Sequence, residues 1–351
     1  MSRAQLTSTV EQNTGGAVAP FVAGKNKIIN GDFAINQRGF TSTSTSGTYG
    51  FDRWTWEFSQ TSGTAPVYSA QAFTPGTAPV AGYEGTNYAQ LVSSGQSTAG
   101  DYTAIVQRIE NVRTFAGQTV TISFWAKTTS GTAVVGLGGY QSFGTGGSAL
   151  AFITPPTPVT ISSNWARYSQ TFTLPSIAGK TIGTASFVHL YLFTSAGSTI
   201  SGYGYPVIGI QNNTFSFWGV QLEAGSVATP FTTATGTLSG ELTACQRYYF
   251  RWGGNSNYQR YGTGLFNSTT QGYAYVQFPI LMRATPSSMD YSLLGYYDGS
   301  TSAGFSSASM QNNGQNGTDI ALVGTGFTAY RPFIFSANGS TSSYLGFSAE
   351  L

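Results

Sequence analysis

The sequence predicts an all-β protein with an N-terminal arm, a jelly-roll β-sandwich and a smaller C-terminal β-sandwich. Three observations carry that expectation. Apolar and polar residues alternate in short runs along the chain, the period of a half-buried strand. The 45 glycines, set among many Ser, Thr and Asn residues, suit short strands joined by tight turns. Aromatic residues make up 15% of the chain and charged residues only 8%, the reverse of the bias that keeps chains disordered. At 351 residues, two domains can each bury a core of their own.

Residues 1–26 are polar and aperiodic, with only Leu6, Val10, Val18, Phe21 and Val22 to bury. Such an arm is expected to order only against a partner. Residues 27–232 form the jelly roll. In Phe51–Phe58, Asp52, Trp54, Trp56 and Phe58 fall on one face and Phe51, Arg53, Thr55 and Glu57 on the other. Further strands are expected at 86–92, 103–109, 119–127, 133–138, 166–173, 185–193 and 215–222. Pro155, Pro156 and Pro158 mark a loop, as does the glycine-rich stretch Gly136–Gly147 around Tyr140 and Phe143. In the closing strand, Phe217, Gly219 and Gln221 alternate against Trp218, Val220 and Leu222.

Residues 233–247 read as a linker with a short helical turn. Ser239 is the expected N-cap, Glu241 sits in the first turn, and Leu238, Leu242 and Cys245 share helical spacing. Residues 248–351 form the second sandwich, with strands at 258–265, 272–279, 288–294, 328–336 and 343–349. The polar span Asp298–Asp319 is expected to be a long loop or a poorly ordered hairpin.

Composition removes several functions. A net charge of +2, from 15 basic and 13 acidic residues scattered singly, supplies no basic stripe for nucleic acid. No apolar run approaches the roughly 18 residues of a membrane span, and MSRAQLTSTVEQ lacks the apolar segment of a signal peptide. The single cysteine, Cys245, and the single histidine, His189, leave neither an intrachain disulfide nor a zinc site. His189 reads as a satisfied or solvent-facing strand residue. Nothing near it resembles a nucleophile elbow, and Gly179-Lys180-Thr181 lacks the first glycine of a phosphate loop. Asp52 and Glu57, on opposite faces, cannot form a glycosidase pair across one groove from this strand alone. No catalytic residue and no cofactor are expected.

What remains is aromatic surface. Sugars present flat CH faces ringed by hydroxyls, so their binders pair an aromatic platform with polar groups. Three clusters qualify: Tyr203 with Tyr205; Trp252 with Tyr258, beside Asn255 and Asn257; and Tyr296, Tyr297 and Asp298.

Four phrases also carry a resemblance. They are Asn30-Gly-Asp-Phe33 with Gln37-Arg38-Gly39 and Phe51-Asp-Arg-Trp54; Trp218-Gly-Val-Gln-Leu-Glu-Ala-Gly-Ser-Val-Ala-Thr-Pro-Phe231 with Cys245-Gln-Arg-Tyr-Tyr249; Phe278-Pro-Ile-Leu-Met-Arg-Ala-Thr-Pro286; and Leu345-Gly-Phe-Ser-Ala-Glu-Leu351. In this order they resemble bacteriophage tail-fibre and related virion adhesin proteins with a carbohydrate-binding-module-like jelly roll. The resemblance implies a homotrimeric virion protein, made in the bacterial host cytoplasm. Its arm would dock on other virion proteins, and it would hold a host-surface glycan without cleaving it. A purely structural virion part is the alternative, and a glycan-degrading spike a third reading, for which β-helix repeats are lacking. Jelly rolls of this kind often hold calcium between Asp32 and an Asp of the closing strand. Here Trp218 or Gly219 stands in the latter place, so no metal is expected.

Overall fold

The computed structural model describes residues 24–200, 204–253 and 255–351. Most of the 1–26 arm therefore lies outside the described residues. Two compact units divide inside a helix: Met1–Glu241 with Leu351, and Leu242–Glu350. Both are β-sandwiches.

The strands of the first unit are β1 (Ser42–Thr43), β2 (Trp54–Ser59), β3 (Val67–Ala72), β4 (Asn87–Ser93), β5 (Tyr102–Glu110), β6 (Thr119–Thr128), β7 (Ala133–Ser142), β8 (Ala151–Phe152), β9 (Val159–Ile161), β10 (Ala166–Thr173), β11 (Phe187–Ala196) and β12 (Asn213–Ala224). One sheet runs β1-β3-β4-β12-β6-β10. The other runs β2-β5-β11-β7-β8, with β9 also on β7. Period-two alternation decides what lies between them. Trp54 and Trp56 of β2, Ile105 and Ile109 of β5, and Val188, Leu190 and Leu192 of β11 point inward. They meet Ile122, Phe124, Phe215 and Phe217 of the facing sheet in one buried core.

The closing strand departs from strict alternation. Its register against β6 shifts between Trp218 and Gln221, so that Trp218 pairs with Trp125 and Gln221 with Ser123. Gly219, at φ 62°, supplies this β-bulge. Phe217 and Leu222 consequently share the core face, and Trp218 and Gln221 the other, which corrects the simple alternation read from the sequence. Past Phe217, β4 no longer pairs with β12, and residues 26–31 take its place. Val220 N donates to Gly31 O at 2.8 Å and Lys27 N to Leu222 O at 3.0 Å. Leu222 N donates to Asn26 Oδ1 at 3.0 Å. A Cβ at Gly31 would stand 2.1 Å from the Val220 oxygen, so only glycine fits this approach.

The glycine-rich stretch is also corrected. β7 continues to Ser142 because its glycines face bulky neighbours rather than solvent. A Cβ on Gly136 or Gly138 would collide with Pro206, and one on Gly138 with Phe193.

The helix α1 (Leu238–Gln246) is capped two residues before the expected position. Thr237 Oγ1, not Ser239, accepts from Gly240 N at 3.0 Å. The carboxylate of Glu241 turns back to accept from Asn30 N and Thr235 N, both at 2.7 Å.

The second unit contains β13 (Tyr249–Gly253), β14 (Arg260–Phe266), β15 (Gln271–Gln277), β16 (Ser288–Ser292), β17 (Leu294–Tyr297), β18 (Ser302–Gly304), β19 (Ser307–Gln311), β20 (Gly317–Val323), β21 (Pro332–Ala337) and β22 (Tyr344–Ser348). A three-stranded sheet, β13-β22-β16, faces a seven-stranded one, β18-β17-β21-β14-β15-β20-β19. Phe250, Phe347, Phe266, Phe333 and Phe335 fill the space between. The span 298–319 leads into a hairpin, the second of the two expected alternatives, rather than a long loop. β19 pairs antiparallel with β20 through Met310↔Ile320 and Ala308↔Leu322, apolar pairs that the surrounding Ser, Gly and Asn residues hide in the sequence.

Candidate functional site

The outer face of the β2-β5-β11-β7-β8 sheet concentrates the chemistry of the first unit. With Val188, Leu190 and Leu192 turned into the core, Phe187, His189, Tyr191 and Phe193 of β11 must point outward. Register sets their neighbours. His189 lies between Arg108 of β5 and Tyr140 of β7, and Tyr191 between Val106 and Gly138. On β2, Glu57 pairs with Ala104. Ala104 and Val106 are short, so the Glu57 side chain reaches across them toward β11.

A polar network results. Tyr191 Oη donates to Glu57 Oε2 at 2.9 Å. Glu57 Oε1 lies 3.5 Å from Arg108 Nη2 and 3.6 Å from His189 Nε2. His189 Nδ1 shares a hydrogen bond with Tyr140 Oη at 2.6 Å. The rings form a stack, His189 on Tyr191 at 4.3 Å and Tyr191 on Phe193 at 5.1 Å, and the Arg108 guanidinium lies over Phe187 at 5.5 Å. Burial, then the positive charge of Arg108, push the His189 pKa well below its ordinary value, so the imidazole is neutral at physiological pH. Burial and the nearby Glu57 charge raise the Tyr191 pKa, which keeps its hydroxyl a donor. His189, at 1% exposure, is therefore neither solvent-facing nor fully satisfied, since its Nε2 makes no hydrogen bond.

Tyr205 joins this face. Its ring meets Tyr191 at 5.6 Å and Phe193 at 5.0 Å, edge to face, and the glycines of β7 make room for it and for Pro206. Tyr203 lies outside the described residues. Phe152 of β8, 43% exposed, packs edge-on to Tyr140 at 6.1 Å and extends the aromatic surface to the sheet edge. The sequence signal that could have found this face is the alternation in Phe187-Val-His-Leu-Tyr-Leu-Phe193, whose odd positions are all rings.

The clusters of the second unit separate. Tyr296, only 4% exposed, is enclosed by Phe266, Phe305 and Phe327 and is a packing residue. Trp252 packs on Phe250 and Tyr261 at the edge of the core. Asp298 is used internally. Its Oδ1 accepts from Ser300 N and Thr301 N, and its Oδ2 stands 3.4 Å from Arg331 Nη1. Tyr258 and Tyr297, 39 positions apart in the chain, line one groove of about 270 Å³.

A larger cavity of about 570 Å³, which the sequence reading missed, lies between Asp32, Tyr83, Glu84, Phe231, Thr232 and Glu241. Asp32 Oδ2 accepts from Tyr83 Oη at 2.6 Å. Burial raises the carboxyl pKa of both Asp32 and Glu241. Among the described residues no three His, Cys, Asp or Glu side chains are grouped to hold a metal ion, and no helix is long and apolar enough to cross a membrane.

No family model matches the sequence, and no curated protein matches it. Solved structures do. The CBM22-2 xylan-binding domain of Paenibacillus barcinonensis Xyn10C is 16% identical over 48% of this chain and 91% of that domain, with a TM-score of 0.31. A putative sugar binding protein of Bacteroides thetaiotaomicron is 12% identical over 57% of this chain and 100% of its own, with a TM-score of 0.34. The enzymatically active domain of bacteriophage CBA120 tailspike protein 4 is 12% identical over 57% of this chain and 22% of that one, with a TM-score of 0.33.

Proposed function

We propose that the first unit binds a glycan, without cleaving it, on the outer face of its β2-β5-β11-β7-β8 sheet. The observation that carries this reading is the combination on one face of Tyr140, Phe152 and Tyr205 with the Glu57–Arg108 pair. Flat rings take the apolar face of a pyranose, and the carboxylate and guanidinium take its hydroxyls. Cleavage needs a second carboxylate within about 10 Å of the first. The other side-chain carboxylate of this face, Glu110, lies six residues along β5 from the Glu57 partner Ala104, roughly 20 Å away.

Together with the four phrases that resemble phage fibres, this supports the reading of a virion fibre that adsorbs to a host-surface polysaccharide. Residues 1–26 dock on other virion proteins, and three copies gather weak sites into avid binding. Sedimentation tests the trimer, and a chain starting at Lys27 tests the arm.

The decisive experiment is retention of the purified protein on surface polysaccharide from phage-sensitive and phage-resistant hosts, with the supernatant assayed for new reducing ends. Selective retention without new ends, lost in Tyr140→Ala with Phe152→Ala, is the expected result. New reducing ends would establish a degrading spike. Retention on neither polysaccharide would leave a purely structural virion part.

A further inference from the structure

The second unit carries a groove of its own, across β14, β21 and β17 on the outer face of the seven-stranded sheet. It is lined by Tyr258, Arg260, Tyr297, Ser302, Ile334 and Ser336. Register explains why these residues meet. Arg260 pairs with Ser336, and Tyr297 pairs with Ile334 on one side and Ser302 on the other. Arg260 and Tyr297 thus stand two strands apart, about 10 Å across the sheet, with the Ile334 side chain and the Ser336 hydroxyl between them.

The Tyr297 ring and the backbone around Tyr258 are held in place. Tyr297 Oη donates to Gly299 O at 3.1 Å. The backbone on either side of Tyr258 is tied to the end of β21 and the residues after it, by Ala337 N to Gln259 O at 2.8 Å and Ser340 N to Asn257 O at 3.1 Å. Yet the rings themselves are left in water, Tyr258 64% and Tyr297 47% exposed. The charge is equally available. Among the described residues Arg260 has no ion-pair or side-chain hydrogen-bond partner. The neighbouring carboxylate of Asp298 is already held by its own turn and by Arg331.

A cavity of about 270 Å³ is the size of one sugar ring with its substituents. Two exposed phenol rings offer stacking surfaces, the Ser302 hydroxyl exchanges hydrogen bonds with ring hydroxyls, and an uncompensated guanidinium forks onto a carboxylate. We infer that this groove is a second, independent saccharide site, selective for an acidic sugar such as a hexuronic acid residue of a polysaccharide. It goes beyond the reading of the first unit and does not depend on it.

The test is an NMR titration of the full chain with selectively labelled isoleucine methyls, so that Ile334 reports this groove alone. The probes are methyl glucuronide and methyl glucoside. The expected result is movement of the Ile334 resonance by both, with the glucuronide binding about tenfold more tightly at low salt. Raising ionic strength should narrow that gap. Arg260→Ala should abolish the preference and leave glucoside binding unchanged, whereas Tyr297→Ala should weaken both sugars. Glu57→Gln, in the first unit, should change nothing here. Equal affinity for the two sugars, an unaltered preference in Arg260→Ala, or an Ile334 resonance that stays still would each overturn the assignment. Arg260 and Tyr297 are both exposed, so their variants should fold, and unshifted remaining methyl resonances confirm it.

Discussion

Tyr191 Oη donates to one oxygen of Glu57 at 2.9 Å while Arg108 Nη2 stands 3.5 Å from the other, so a single carboxylate ties three strands together on the outer face of a sheet. Replacing Glu57 with Ala strips the buried Tyr191 hydroxyl of its acceptor, at a cost of about 1–3 kcal/mol. Glu57→Gln keeps an acceptor and should lose less than about 1 kcal/mol. Urea unfolding of both variants checks this ordering, and equal losses would mean that Tyr191 does not depend on the carboxylate. On polysaccharide, Glu57→Gln should bind more weakly despite its intact fold.

The pH dependence of stability should carry a contribution from His189. Its pKa in the folded state lies well below the ordinary 6.5, because burial and Arg108 oppose its charge. The unfolded chain therefore takes up a proton near pH 6.5 that the folded chain refuses. Stability must rise with pH below that value, by up to about 1.4 kcal/mol per unit, and be lost as pH falls from 7 to 5. Asp32 and Glu241, whose folded pKa values are raised by burial, add a slope of opposite sign in the acid range. The informative quantity is thus the wild-type minus His189→Gln difference between pH 7 and 5. A flat difference would show that the imidazole is charged in the folded state.

Gly139→Ala should be destabilising by about 2 kcal/mol or more. The added Cβ would lie 2.1 Å from the His189 carbonyl oxygen, and that oxygen belongs to the adjacent strand rather than to a flexible side chain. A thermal melt within 2 °C of wild type would contradict the packing of β7 on β11.

Neighbouring tyrosines of the second unit should behave oppositely. Tyr296→Ala opens a cavity among Phe266, Phe305 and Phe327 and should cost about 3–5 kcal/mol. Tyr297→Ala, half exposed on the other face, should stay within about 0.5 kcal/mol of wild type. Denaturant midpoints of the two single variants decide the matter.

Much of the fold was legible because alternation survives wherever one face of a strand is buried. β2, β5, β6, β10 and β11 fall close to their expected positions for that reason. β3, Val-Tyr-Ser-Ala-Gln-Ala, offers little apolar contrast although Tyr68 is fully buried, and its alternation is silent. The bulge at Gly219 was illegible because an isolated glycine inside a strand reads as mere weakness. It takes the approach of residues 26–31 to show why the extra residue is there. The site divides along the same line. A tyrosine in a strand alternates between core and solvent, so Tyr296 and Tyr297 could not share a role, yet composition weighed them equally. Tyr258 and Tyr297 were each visible, but their meeting in one groove depends on the β17-β21-β14 order, which no local pattern encodes. The Glu57–Tyr191–His189 network requires three strands in register; the alternation of Phe187–Phe193 marks the outward rings of β11 but not their polar partners on the neighbouring strands.

The bulge has a mechanical side. Residues 26–31 lie along β12, the strand flanked by β4 and β6 near the middle of its sheet, and are held there by Lys27 N to Leu222 O and Val220 N to Gly31 O. Tension arriving through the chain ahead of Gly24 is thus delivered to an inner strand, not to an edge that could peel away. Bonds lying across the line of pull share the load in shear and must break together, whereas an edge strand unzips one bond at a time. A sandwich anchored in this way can be tugged at its leading end and stay folded.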